Sequence, residues 1–285
     1  MVYKMRILIF GATGWIGSQM ADLFGEASVV TTNTRMESPM AEKVVREVNP
    51  THVVCCAGLT GRPNVDWCEV HKQDVIRTNV IGVLNLADIC HKRDIHFTYF
   101  GTGCIYDYTN DIDDLRVGNW KSGFKERDKP NFDRSFYSKT KVMVQELLNE
   151  YKNCLVLRLR MPITGDLEHP RNFITKIMGY ERIVSVPNSM TVLPTLLPVA
   201  ADMVKKSVTG TFNFTNPGFI CHDDVMNMVK QYRKPDLTWN IMTLKEQSRI
   251  LKAGRSNCVL DVTKLMELYP DIPDIHTALK SVLEE

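Results

Sequence analysis

In the run Tyr137-Ser138-Lys139-Thr140-Lys141, a tyrosine and a lysine stand four residues apart. On a helix this spacing puts both side chains on one face, one turn apart. An ammonium beside a phenol favours the tyrosinate and lowers a pKa that starts near ~10. The pair therefore makes a proton donor to a carbonyl that accepts hydride, although alone such a spacing more often belongs to a plain amphipathic helix. Thr102, 35 positions before Tyr137, ends the β-type run His96-Phe97-Thr98-Tyr99-Phe100. Two residues further on is Cys104, so a hydroxyl and a thiol share the end of a strand, where ligands meet the chain in α/β proteins. A thiol has a reference pKa near ~8.5, and a cation such as Lys141 brings it toward neutrality. Cys104 is thus a usable proton-transfer group, although from the residues alone a small packed thiol is the simpler reading.

A second constellation precedes these. Gly11-Ala12-Thr13-Gly14-Trp15-Ile16-Gly17 lies between a strand at Arg6–Phe10 and a helix at Trp15–Phe24. Glycines so placed let the backbone turn tightly and approach a pyrophosphate seated on the helix N-terminus. A tight structural turn is the alternative, but the position at the first strand–helix junction favours a dinucleotide. The next strand ends in Thr32-Asn33-Thr34-Arg35, with no acid before Glu37 to take an adenosine ribose. Arg35 can pair with a 2′-phosphate, which favours NADPH; a solvated surface arginine is the competing reading.

Strands and helices must alternate to hold these groups. Strands are expected at Arg6–Phe10, Val29–Thr34, His52–Ala57, His96–Phe100 and Cys154–Arg160. Between them fall helices at Trp15–Phe24, Met40–Val48, Asp74–Lys92 and Ser135–Tyr151. This is the pattern of an α/β fold with a doubly wound parallel sheet, a Rossmann domain. After Arg160 prolines recur and helices shorten, with one more strand at Thr211–Phe214. The expected division is a dinucleotide-binding domain over 1–164, to which 188–215 return, and a smaller interleaved substrate-binding region over 165–187 and 216–285. The polar segment Asp107–Arg134 is long for a connection, and such loops are often lids.

Composition narrows the class. A chain of 285 residues, 44% hydrophobic and 24% charged, with a net charge of +2, reads as an ordinary soluble globular protein. No basic stripe with interleaved aromatics points to nucleic acid. No apolar run approaches the ~18 residues of a membrane span, and no signal-like segment leads the chain, so a cytoplasmic location is expected. The 8 cysteines, Cys55-Cys56 among them, follow no disulfide or zinc spacing; reduced thiols and no metal are expected.

Taken together, Gly11–Gly17, Thr102, Tyr137 and Lys141 resemble the extended, nucleotide-sugar-modifying branch of the short-chain dehydrogenase/reductases. There Thr102, Tyr137 and Lys141 match the catalytic triad, and Cys55-Cys56-Ala57-Gly58 stands where an Asn-Asn-Ala-Gly-like turn flanks the cofactor. Asn79 matches an asparagine that braces the central helix. The branch's dehydratases carry Thr-Asp-Glu at the strand end; Thr102-Gly103-Cys104 lacks both carboxylates, so dehydration is excluded. Longer motifs are similar to the bifunctional nucleotide-rhamnose synthases: Gly61-Arg62-Pro63-Asn64-Val65-Asp66-Trp67-Cys68-Glu69, Arg160-Met161-Pro162, Pro170-Arg171-Asn172-Phe173-Ile174-Thr175-Lys176, Pro187-Asn188-Ser189-Met190 and Asn213–Gly218. The likeness spans nearly the whole chain and is loosest within Tyr108–Lys121.

That resemblance implies a 3,5-epimerase and 4-reductase acting with NADPH on a UDP- or dTDP-linked 4-keto-6-deoxyglucose, UDP favoured, to give the L-rhamnose nucleotide. Cys104 and Lys176 become the epimerisation pair, although from the residues alone Lys176 reads as a solvated lysine. Ala57, Gly58 and Pro162 fall along the cofactor. Arg255 falls on the sugar-nucleotide diphosphate, where its planar fork suits phosphate oxygens. Asn172, Asn64 and Asp66 are further substrate candidates, with Asp66 alternatively holding its loop. An upstream 4,6-dehydratase must supply the substrate, and two copies are expected to pair through the helices at Asp74–Lys92 and Ser135–Tyr151. A 4-reductase alone, or a non-catalytic NADP-binding subunit of the same fold, are the other readings.

Overall fold

The computed structural model describes residues 5–108 and 119–285. Its centre is a six-stranded sheet in the order β2-β1-β3-β4-β5-β7. In chain order the first strands are β1 (Ile7–Phe10), β2 (Val29–Thr32), β3 (His52–Cys55) and β4 (His96–Thr102). They are followed by β5 (Cys154–Leu159) and β7 (Gly210–Asn213). The pairs β1–β2, β1–β3 and β3–β4 are parallel, with Phe10 opposite both Thr32 and Cys55. β1, β3 and β5 are buried at every position because helices cover both faces, which is why they read as unbroken apolar runs. Strand order reverses at β1, whose neighbours β2 and β3 are reached in opposite directions, so the switch point where such sheets bind ligands lies between β1 and β3.

The helices that cover this sheet begin with α1 (Trp15–Phe24), α2 (Met40–Val48), α3 (Lys72–Ile76) and α4 (Val83–Lys92). α5 (Phe136–Leu148) follows. Val83, Leu86, Ala87 and Cys90 of α4 and Val144 and Leu148 of α5 join Leu8, Phe10, Val53, Phe97 and Val156 in one core. The single long helix expected over Asp74–Lys92 is interrupted: Arg77–Gly82 forms a π-helical turn between α3 and α4. Within that turn Asn79 accepts from Leu59 N–H and donates to Leu59 C=O, both at 2.8 Å, so the bulge aims a side chain at the loop after β3. β4 runs two residues beyond the expected Phe100. Gln145 Nε2 donates to Thr102 C=O at 3.1 Å, so a helix side chain supports the strand where local propensity ends.

The chain divides into two compact units. The first comprises residues 1–102, 133–157 and 197–212; the second comprises 103–132, 158–196 and 213–285. In the second unit α6 (Phe173–Met178), α8 (His222–Tyr232) and α11 (Ile275–Glu284) pack Ile174, Ile177, Val225, Val229, Leu279 and Val282 into a separate apolar core. The remaining elements are α7 (Leu193–Lys205), α9 (Leu244–Ile250), α10 (Thr263–Leu268) and a parallel pair of short strands, β6 (Arg182–Ile183) and β8 (Asn240–Ile241). Of the polar segment Asp107–Arg134, residues 109–118 lie outside the described residues. Residues 119–132 are held within the second unit by the Tyr106 hydroxyl on Asp128 C=O at 2.9 Å and by Glu126 accepting from Asn213 N–H at 3.0 Å. Among the described residues no helix is long and apolar enough to cross a membrane.

Candidate active site

Gly11 follows Phe10 directly and has φ +80°, a left-handed conformation that only glycine adopts without strain. A Cβ there would also meet Ala57 N at 2.6 Å, so the loops after β1 and β3 touch at backbone level. A Cβ on Gly17 would lie 2.1 Å from Gly11 C=O, which fixes the third glycine as the contact between α1 and the turn. Gly14 is the N-cap of α1, no side chain caps the helix, and no acid stands in its first turn. Thr13 and Gly14 are exposed. An uncapped, positively polarised helix start beside a backbone that can be approached closely fits the pyrophosphate of a dinucleotide.

Arg35, just after β2, is 81% exposed and lies 3.7 Å from the carboxylate of Glu37, which is 7% exposed. The first acid after β2 is therefore folded inward, with Gly82 close above it, and the guanidinium is left at the surface. That arrangement suits an anionic phosphate better than a ribose hydroxyl.

The Tyr137–Lys141 pair lies on α5, as the four-residue spacing requires. Ser135 caps this helix by accepting from Ser138 N–H at 3.0 Å, and Glu69 Oε1 accepts from Phe136 N–H at 2.7 Å. The backbone N–H groups on either side of Tyr137 are thus both bonded. Lys141 is 4% exposed, and its Nζ lies 5.7 Å from the Tyr137 ring centre. Burial pulls its pKa down to about 8. Its Nζ donates to the hydroxyl of Tyr99, on β4, at 2.6 Å. A Cβ on Gly58 would sit 3.6 Å from the same Nζ, so the glycine of the Cys55–Gly58 turn leaves room around the ammonium. Thr102 ends β4, with its carbonyl tied to α5 through Gln145. Sequence reasoning missed Tyr99, Glu69 and Gln145. A hydroxyl-bearing aromatic inside an apolar strand was the available signal for the first.

In the second unit Cys104 is half-buried, and the cation on its sulfur is Arg160, whose Nη1 donates to Sγ at 3.7 Å. Arg160 is 1% exposed. Its remaining contacts are Gly103 C=O, Ser189 C=O, Ser256 Oγ and C=O, and Asn188 Oδ1. Among the described residues no carboxylate lies within ion-pair distance of it, so it is a buried cation held by neutral acceptors. Met161, next in the chain, takes φ +41°, a left-handed strain for a non-glycine residue, ahead of Pro162.

Lys176 sits mid-way along α6, half-buried, with its pKa lowered by burial and then by the charge of Arg171. Asn172 is fully buried. Its Oδ1 caps α6 at Ile174 N–H, and its amide donates to Thr164 and Asp166 carbonyls at 2.9 and 2.7 Å. Every polar atom is spent on holding the approach to Lys176. Asn64 Oδ1 accepts from Asp66 N–H at 2.8 Å at the start of a 3-10 turn over Val65–Glu69. Arg255 Nη1 donates to Ala253 C=O at 2.7 Å, and its neighbour Ser256 bridges Arg160 to Tyr106 C=O. No group of three His, Cys, Asp or Glu suited to a metal occurs among the described residues.

A dinucleotide cradle at the β1–α1 junction with a Tyr–Lys pair beside the end of β4 defines the extended short-chain dehydrogenase/reductase class. The family model of the RmlD substrate binding domain matches residues 5–285, and the chain belongs to that family. It is 47% identical over 279 residues, 97% of this chain and 91% of the other, to a bifunctional dTDP-4-dehydrorhamnose 3,5-epimerase/dTDP-4-dehydrorhamnose reductase of Arabidopsis thaliana. A trifunctional UDP-glucose 4,6-dehydratase/UDP-4-keto-6-deoxy-D-glucose 3,5-epimerase/UDP-4-keto-L-rhamnose-reductase of the same plant is 46% identical across 99% of this chain, which spans 42% of that longer protein. The crystal structure of the L780 UDP-rhamnose synthase from Acanthamoeba polyphaga mimivirus superposes with a TM-score of 0.91 at 42% identity, covering 98% of this chain and 99% of that one.

Proposed function

We propose that the protein is a bifunctional enzyme that inverts C3 and C5 of an NDP-4-keto-6-deoxy-D-glucose, UDP favoured, and then reduces C4 with NADPH to NDP-L-rhamnose. The observation that carries the reading beyond a plain ketone reducer is the Cys104 sulfur under the buried guanidinium of Arg160 at 3.7 Å. A reductase has no use for a thiol so placed. The 47% identity to a bifunctional epimerase/reductase over nearly the full length of both chains supports it.

Residues 11–17 and the start of α1 would hold the cofactor pyrophosphate, Arg35 the 2′-phosphate, and Ala57, Gly58 and Pro162 its flanks. When bound, the cofactor supplies the hydride for C4. The C4 ketone makes the C3 and C5 hydrogens acidic, and each inversion needs a base and an acid on opposite faces. Cys104 and Lys176 take these roles; a lysine held below its ordinary pKa exchanges protons closer to neutrality. Tyr137 and Thr102 donate to the oxygen as enolate charge develops. Tyr137 then gives its proton to the C4 oxygen during reduction, and the Lys141 ammonium eases that transfer. Arg255 is assigned to the diphosphate, with Asn64 and Asp66 at the substrate.

The proposal extends to the setting. Nothing in Thr102-Gly103-Cys104 can perform a 4,6-dehydration, so a dehydratase must supply the substrate, in the cytoplasm; the longer plant relative carries such an activity in its name. Two copies pair through the helices around α4 and α5, where Ile76, Ile81, Met143 and Leu147 are exposed apolar residues. Incubation with UDP- and dTDP-4-keto-6-deoxyglucose in D2O without NADPH tests the core of this reading. Deuterium should enter at C3 and C5 with no reduction, and adding NADPH should then yield the rhamnose nucleotide. Reduction only of a ketone epimerised beforehand, with no exchange, leaves a 4-reductase.

A further inference from the structure

We propose that Tyr99 is a positioning residue for the reduction step, its phenol oxygen fixing the Lys141 ammonium beside Tyr137. The inference rests on reading Lys141 as the partner of Tyr137. Lys141 Nζ has three protons to place. Among the described residues its one hydrogen-bond acceptor is the Tyr99 hydroxyl, at 2.6 Å. It also lies over two ring faces, 4.8 Å from the centre of Tyr99 and 5.7 Å from that of Tyr137. Its other titratable neighbours are Cys55 on β3 and Cys68 in the 3-10 turn, whose charged forms would stabilise it. Burial pushes Cys55 up to about 12 and Cys68 up to about 11, so both stay neutral thiols at physiological pH. No carboxylate among the described residues pairs with this ammonium.

Tyr99 itself is fully buried, and burial lifts its pKa well above the ordinary value. It stays a neutral phenol and stabilises the ammonium as a dipole, without a proton of its own to lose. Among the described residues, one oxygen on β4 is therefore what the buried ammonium bonds to. A phenol directly beneath the lysine also fixes the height of Nζ against Tyr137, one helical turn earlier on α5. The site reads as a column of Tyr137, Lys141 and Tyr99, of which the sequence spacing revealed only the upper two.

The test uses the full-length enzyme, NADPH and a 4-keto-L-rhamnose nucleotide, so that reduction is read without epimerisation. In Tyr99→Phe, the alkaline limb of kcat/KM should move down by about one pH unit, because a buried ammonium loses its acceptor. At pH 8 this lowers kcat/KM by about fivefold, and the loss should shrink toward pH 6. The Nζ resonance of Lys141 in ¹⁵N-lysine-labelled enzyme, identified by its disappearance in Lys141→Met, should titrate in step. A lowered melting temperature with both titrations unchanged would assign Tyr99 to packing and overturn the inference. The wild-type titration needs no variant: a midpoint near the ordinary lysine value of ~10.4 overturns it as well. If Lys141→Met still reduces the ketone normally, the underlying assignment of Lys141 fails instead, whatever Tyr99→Phe does.

Discussion

Arg160 Nη1 donates to Cys104 Sγ at 3.7 Å from inside a shell of neutral acceptors. A buried guanidinium is costly unless its donors are all engaged. Here five oxygen contacts, from Gly103, Ser189, Asn188 and both oxygens of Ser256, engage them without cancelling the charge. The guanidinium touches the Cys104 sulfur, and Cys258, Tyr108 and Asp107 lie near the same charge. Arg160→Met should strand those acceptors and lower the unfolding free energy by roughly 3 kcal/mol or more, read from urea titration. Arg160→Lys should recover little of it, because an ammonium cannot reproduce the planar fork.

Removing the sulfur separates the two halves of the proposed reaction. Cys104→Ala should lose at least about 100-fold in deuterium exchange at C3 and C5, the usual scale of a lost acid/base group. Reduction of a 4-keto-L-rhamnose nucleotide should stay within a few-fold of wild type. Parallel loss of both activities, with an unchanged unfolding curve, would assign Cys104 to substrate binding.

Lys141→Met is expected to stabilise the fold while abolishing most reduction. The folded-state pKa of about 8 lies below the unfolded value of 10.5. Below pH 8 the native chain therefore carries the full cost of a buried ammonium. Wild-type stability rises with pH between about 8 and 10.5 as the unfolded chain alone remains protonated. The variant should gain about 1–2 kcal/mol at pH 7, allowing for the hydrogen bond to Tyr99 that it gives up. The advantage should fade above pH 8. Chemical denaturation at pH 7 and pH 10 measures both.

Arg35→Asp should raise the Michaelis constant for NADPH by about tenfold or more and change that for NADH little. The guanidinium is 81% exposed, so its ion pair with Glu37 contributes little to the fold. Equal effects on the two cofactors would remove Arg35 from the 2′-phosphate. Initial-rate kinetics with both nucleotides decides it.

Acid stability should depend on a histidine pair that faces across the first positions of β3 and β4. His52 bonds Thr51 Oγ1 and Ser207 Oγ through its two ring nitrogens, and its ring lies 5.2 Å from that of His96. Burial, and then the neighbouring His96, bring His52 down to about 4; burial lowers His96 too. Because the folded value lies below the unfolded ~6.5, the stabilisation is complete above pH 6.5 and is lost as pH falls toward 4. His52 accounts for roughly 2–3 kcal/mol of this. His222, also near 4 through burial and the charge of Arg160, adds a slope of its own in the second unit. His52→Gln keeps the hydrogen-bonding groups without the titration, and its unfolding free energy should vary less between pH 4 and 6.5.

Much of the sheet was legible because its signals are local. α1 and α2 begin and end where apolar periodicity and breakers place them. The Gly11–Gly17 turn and the four-residue step from Tyr137 to Lys141 are likewise properties of short stretches of chain. The π-helical turn at Arg77–Gly82 was not legible, since it accompanies Asn79 bonding Leu59, twenty residues away. The crossing from one compact unit to the other after Thr102 carries no mark in Gly101-Thr102-Gly103-Cys104 either.

The sequence by itself determined an α/β sheet, a glycine turn against its first helix, and a hydroxyl, phenol and amine spaced for carbonyl chemistry. Those follow from periods of two and 3.6 residues and from backbone freedom, which neighbours along the chain decide. Only the tertiary structure decided what surrounds each reactive atom. Tyr99 lies beneath Lys141, 42 residues away in sequence, and Arg160 lies against Cys104, 56 residues away. The physical reason is that a proton's cost depends on burial and on the few atoms within hydrogen-bonding reach, and folding brings those atoms in from distant strands.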